Sequence, residues 1–155
     1  MDRAVDIAEQ MVAEGNLPVG AVIELDGNII AEGGSRVLLP EYNPGRHAEK
    51  EALKNVAVEL WPRAKEMTCY TTLEPCMMCM GALLLHGVGR IVFGAIDQRG
   101  GARFALPHLP PYYADGQGVF EWVGPTDSER CDPLYHQLNG LFDALPCGVH
   151  EADTP

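Results

Sequence analysis

The sequence predicts an α/β domain built on one mixed β-sheet. Strand-like and helix-like patterns alternate along the chain after an opening hairpin, which is the order of a layered α/β domain. At 155 residues, 46% of them hydrophobic, the chain can bury one core of useful size. No internal repeat or linker composition interrupts it, so 1–155 reads as a single domain with an irregular tail at 146–155.

Each element has its own signal. Residues 3–14 place Ala4, Ala8 and Met11 on one helical face beside Val5 and Val12, and Gly15-Asn16 ends the run. Residues 19–25 and 28–31 read as strands around Asp26-Gly27, a tight hairpin pair. A polar loop over 33–45 leads to a helix that begins near His47. This helix is expected to stop at Trp61-Pro62, because the residue before proline avoids helical geometry. Residues 68–73 are rich in β-formers and feed a helix with Pro75 at its first position, where the missing N–H costs nothing. That helix is apolar nearly all round as far as Leu85, so burial is expected, and Gly87 ends it. Residues 90–93 and 119–123 supply the last two strands. Asp132-Pro133 reads as the cap and first position of a final helix to about Phe142. Between the last strands, 95–118 is rich in Gly, Pro and aromatics. Long segments of this kind usually serve function, which makes Phe104, His108, Tyr112 and Tyr113 candidate pocket contacts. Taken singly, each is better explained as packing.

Two short motifs carry the chemistry. His47-Ala48-Glu49 is followed later by Pro75-Cys76-Met77-Met78-Cys79. His47, Cys76 and Cys79 form a set of three N/S ligands, which leaves a tetrahedral zinc one open position, as a catalytic site requires. Glu49 lies two residues from His47, so on a helix the two do not share a face. One side chain can reach the metal while the other leans over substrate as a proton shuttle. Cys76 and Cys79, three apart, do share a face, near a helix start that favours thiolate. A lone C-x-x-C could instead be a redox pair or half of a structural zinc site. The combination with H-x-E is the pattern of zinc deaminases, and the catalytic reading is preferred. Cys69, in a core strand, is a poor fourth ligand.

Composition narrows the classes further. Net charge is −11, unfavourable for a phosphate backbone whose affinity comes from Lys and Arg releasing counterions. Arg99 and Arg103 flank a glycine pair, but no basic cluster stands out. No apolar run approaches the ~20 residues of a membrane span, and the first residues lack a signal-peptide pattern. Cys69, Cys131 and Cys147 are expected as buried free thiols in a reducing cytoplasm.

Beyond the ligands, the chain resembles the cytidine deaminase-like superfamily, in the branch of tRNA adenosine and guanine deaminases. The resemblance rests on Pro18-Val19-Gly20-Ala21-Val22, on the run from Thr71-Thr72-Leu73-Glu74-Pro75 through Cys79, and on Arg90-Ile91-Val92-Phe93-Gly94-Ala95, with a fainter echo at Glu129-Arg130-Cys131. It covers roughly residues 4 to 105. It implies a three-layer α/β/α fold with a five-stranded mixed sheet, one zinc per chain, and a homodimer whose partner helps shape the pocket. It also implies hydrolytic exchange of an exocyclic amino group for oxygen, with Glu49 catalytic. Ser35, Ala48 and Glu74 are then the expected substrate-side residues. Glu74 has two readings: recognition of a ring N–H, or support of the cysteine helix, which is preferred. Two departures bear on substrate. Ser35 stands at or beside the place where the branch carries a base-reading asparagine, and a hydroxyl has a shorter reach than an amide. The basic final helix of tRNA-editing members is replaced by the neutral-to-acidic stretch from His136 to Asp143. The sequence reading therefore puts a free nucleobase, nucleoside or related amino-heterocycle first. Adenosine-to-inosine editing of tRNA is the alternative, and a non-catalytic zinc module is the alternative of another class.

Overall fold

The computed structural model describes residues 1–114 and 120–143; the irregular tail expected at 146–155 and Cys147 lie outside them. In chain order the elements are α1 (Asp2–Ala13), β1 (Gly20–Leu25), β2 (Asn28–Gly34), α2 (Ala48–Lys54), a 3-10 helix (Val58–Glu66) and β3 (Thr68–Leu73). They continue with α3 (Met77–His86), β4 (Arg90–Ala95), a second 3-10 helix (Ala102–His108), α4 (Pro111–Ala114), β5 (Glu121–Val123) and α5 (Ser128–Asp143).

One five-stranded sheet runs in the order β2-β1-β3-β4-β5. β1 pairs antiparallel with both β2 and β3, whereas β3–β4 and β4–β5 are parallel, so the sheet is mixed as expected. The hairpin turns at Asp26 and Gly27, both at positive φ, the geometry of a two-residue turn that matches strand twist. Period-two alternation then sorts side chains between two helical layers. Val22 and Tyr70 meet Ile7 and Met11 of α1 on one face, and Gly94 on that face lets Cys131 of α5 come close. On the other face Ile23, Cys69 and Ile91 pack with Ala52 and Leu53 of α2 and Leu83 of α3. Cys69 and Cys131 are both buried free thiols.

Contact between α2 and the sheet is close because Gly33 has no side chain. A Cβ there would stand 2.2 Å from Ala52 N and 2.4 Å from Ala48 O. This approach sets α2, and with it His47 and Glu49, directly over the edge hairpin.

Several boundaries differ from the sequence expectation. The helix from His47 does not reach Trp61: α2 stops at Lys54, the chain turns Val56 into the core, and the 3-10 helix that follows contains Pro62. Pro75 is not the first residue of α3, because Cys76 is its extended N-cap. α5 starts at Ser128 instead of Asp132, with Cys131 N donating to Asp127 O at 3.0 Å, so Pro133 falls inside the helix. Residues 102–108 and 111–114 of the long loop are helical. α3 is also not fully buried. It lies in an outer layer with its back to solvent, and Met77 and Leu85 are more than half exposed. Among the described residues, no helix is long and apolar enough to cross a membrane.

Candidate metal centre and substrate pocket

The two motifs meet at the carboxyl ends of β3 and β4, where ligands bind in open α/β sheets. His47 is the N-cap of α2 and Cys76 the N-cap of α3, so both ligand candidates sit where a loop enters a helix. Cys79 follows one turn into α3. One ligand atom from each of His47, Cys76 and Cys79 lies within 4.8 Å of the others. His47 Nδ1 and Cys76 Sγ are 3.6 Å apart. A nitrogen and a sulfur bound tetrahedrally to one zinc, at ~2.0–2.1 and ~2.3 Å, would be separated by about 3.6 Å. The donor set and its spacing therefore fit zinc.

Electrostatics at the cluster point the same way. Hydrogen bonding from Cys79, with His47 beside it, lowers the Cys76 thiol to about 4. The same Cys76–Cys79 hydrogen bond, together with burial, pushes Cys79 up. His47 is raised, chiefly by its contact with Cys76. Negative charge thus concentrates on a sulfur that faces the shared ligand space. Glu49 is 3% exposed, and burial raises its carboxyl above the ordinary range. A carboxyl shifted in that direction is better matched to taking and returning a proton near neutral pH.

A cavity of about 90 Å³ opens over this floor. His47, Glu49 and Cys76 line its base, Leu17, Val19, Val37 and Leu73 its walls, and Leu138 and Phe142 of α5 close one side. All three residues expected beside substrate reach it: Ser35, Ala48 and Glu74 are lining residues. Ser35 is 2% exposed, and its N–H is already committed to Val19 O at 2.9 Å. Glu74 is not a free acceptor. Its carboxylate takes N–H bonds from Asp97 (3.2 Å) and Arg103 (2.8 Å) and pairs with the Arg103 guanidinium. Both of its oxygens are thus engaged by neighbouring donors. Phe104, His108, Tyr112 and Tyr113 do not line the cavity. Phe104 is 72% exposed with its ring 4.3 Å from the Arg103 guanidinium, and Tyr112 packs edge-on against Tyr113. Sequence reasoning missed Asp97, Leu138 and Phe142. The last two sit four apart on α5, an amphipathic spacing that marks a buried face without saying what it covers.

The fold, the ligand cluster and the cavity together define a zinc-binding deaminase-type domain. The family model for the cytidine and deoxycytidylate deaminase zinc-binding region matches residues 1–95, and the chain belongs to that family. A tRNA-specific adenosine deaminase of Haemophilus influenzae is 43% identical over 104 residues, which is 66% of this chain and 60% of the relative. The match thus spans less than two thirds of that protein's length. A solved structure from studies of A-to-I editing by tRNA:A34 deaminases at the wobble position superimposes with a TM-score of 0.70. It is 29% identical, with 85% of this chain and 96% of that one covered. A guanine deaminase of Bacillus subtilis superimposes with a TM-score of 0.57, also at 29% identity, covering 89% of this chain and 90% of that one.

Proposed function

We propose that this chain is a zinc-dependent hydrolytic deaminase of nucleobases. The observation that carries the reading is the buried Glu49 carboxyl beside the His47–Cys76–Cys79 cluster, on the floor of a cavity walled by Leu17, Val19, Val37 and Leu73. His47, Cys76 and Cys79 would hold the metal, which acidifies a water to a pKa of about 7 when bound. Glu49 takes a proton from the attacking water and delivers it to the ring nitrogen next to the aminated carbon. It then passes the second proton to the departing amino group, so water and the C–NH2 group become C=O and ammonia. The apolar walls exclude bulk water and accept a flat ring, and Ser35 adds a buried hydroxyl-bearing residue to the lining. A non-catalytic zinc module would need a fourth protein ligand. Among the described residues the ligand cluster holds three.

Adenosine in tRNA is the substrate we place first, supported by the named tRNA deaminases. This reverses the order drawn from composition, where a free heterocycle led. One structural observation keeps that second reading in play. Every arginine of the sequence, from Arg3 to Arg130, is ion-paired with a carboxylate. Among the described residues, Lys50, Lys54 and Lys65 are the Lys and Arg side chains outside an ion pair, and a polynucleotide would have to displace carboxylates from the others. An ammonia-release assay over an anticodon stem-loop, adenine, guanine, cytosine and their nucleosides separates the two. On the first reading the stem-loop reacts, with activity collapsing as salt rises from ~50 to ~200 mM. Turnover of a free base with little salt dependence would reject it for the second, and no ammonia from any substrate would reject the deaminase reading itself.

We further propose a homodimer built on the outer face of α3. Met77, Gly81 and Leu85 follow one another at four-residue steps, and that stripe is apolar with open space over Gly81. Leu85→Glu is expected to shift the protein from dimer to monomer in sedimentation velocity, and a wild-type monomer at all concentrations would sink the idea. A cytoplasmic location is consistent with the buried thiols of Cys69 and Cys131.

A further inference from the structure

Three consecutive residues carry the chain from β3 into the metal centre, and each is tied to the end of β4 or to the segment after it. Glu74 N donates to Ala95 O at 2.8 Å, Ala102 N donates to Pro75 O at 3.0 Å, and Cys76 forms an isolated antiparallel bridge with Gly101. The Glu74 side chain at the centre of this contact has no exposed surface. Besides its two backbone donors it holds the Arg103 guanidinium, which also donates to Asp97 O at 3.0 Å. Gly101 lies flush on the carboxylate: a Cβ there would come within 2.3 Å of Glu74 Oε2. The Phe104 ring covers the guanidinium from outside.

We infer that Arg103 is a positioning residue for the metal centre, holding the Cys76-bearing turn in ligating geometry through the buried Glu74 carboxylate. The inference rests on the reading of His47, Cys76 and Cys79 as zinc ligands. Arg103 is suited to the task because Nη1 of its planar, rigid guanidinium donates to a carboxylate oxygen and a backbone carbonyl at once, which a lysine ammonium does less rigidly. Two physical effects predict opposite signs on removing it. If the guanidinium acted only through its charge, its loss would relieve repulsion and tighten binding of a divalent cation. If it acts by fixing the turn, its loss loosens the thiolate and weakens binding, by roughly the 10–100-fold typical of residues that orient metal ligands.

The test measures zinc affinity of the full chain by competition with a chromophoric chelator, alongside the sulfur-to-cobalt charge-transfer band of the Co2+-loaded protein. Arg103→Met should weaken zinc at least tenfold and shift or weaken the cobalt band, and Arg103→Lys should recover part of both. Arg99→Ala serves as control. It alters the same turn, but the Arg99 guanidinium faces Asn139 and Asp143 of α5, so wild-type affinity is expected. Should Arg103→Met leave too little folded protein, the Glu74→Gln/Arg103→Met pair removes the buried charge along with its partner. Weak zinc binding in that folded variant supports the inference. Unchanged or tighter zinc in either variant overturns it. A wild-type protein that binds no zinc would instead sink the ligand assignment, and the two failures are distinguishable.

Discussion

Glu49→Ala is expected to keep about one zinc per chain and a native fold while losing deaminase activity by at least the ~10²–10⁴-fold typical of general acid–base catalysis. The physical grounds are burial and placement. Glu49 is enclosed at the cavity floor, and the ligand cluster does not include it. Burial opposes its ionised form, so deleting the carboxyl removes a costly buried group and leaves stability equal or higher. Glu49→Gln makes the sharper comparison, since it nearly preserves shape and removes the capacity to take and return a proton. The measurements are metal content by elemental analysis, ammonia release and a thermal melt. Activity within a few fold of wild type in either variant would remove Glu49 from the chemistry. Loss of zinc in both would recast it as part of the metal site.

Cys76→Ala should eliminate zinc and activity together. Two remaining protein ligands hold a catalytic zinc poorly, and Cys76 is the thiol most easily ionised in the cluster. Its position at the α3 N-cap means the backbone there is already extended, so alanine fits without distortion and the helix persists. Circular dichroism close to wild type with negligible zinc is the expected pair of results. Stoichiometric zinc in purified Cys76→Ala would overturn the ligand assignment.

The parts of this site legible in the sequence are those written within a few residues of one another. His47 with Glu49, and Cys76 with Cys79, have spacings that fix their relative directions on a helix start, and the strand over 68–73 delivers the second pair to the right end of the sheet. The parts that escaped depend on contacts across long separations. Arg103 meets Glu74 across 29 residues, and nothing local marks that pairing. Leu138 and Phe142 signal a buried face but not the cavity it covers. The misplaced boundaries have a similar origin. α5 starts at Ser128, four residues before the Asp132 start read from the sequence, and Cys131 in its first turn packs with Val5 and Ala95. The helix expected over 47–61 ends at Lys54, and Val56 just beyond it is buried in the core, a placement that local propensity does not record. α3 was expected inside because its composition is apolar, yet composition does not distinguish a face turned to the core from one turned to solvent.

The cavity draws its base from the family-matched region, 1–95, and one side from Leu138 and Phe142, well beyond it. On the proposed function, the residues assigned to the chemistry, His47, Glu49, Cys76 and Cys79, and one wall of the cavity therefore lie in separate stretches of the polypeptide. Drift in the final helix would then remodel that one wall while the proposed bond-breaking residues stay untouched, a route by which a lineage could change its diet without passing through an inactive ancestor.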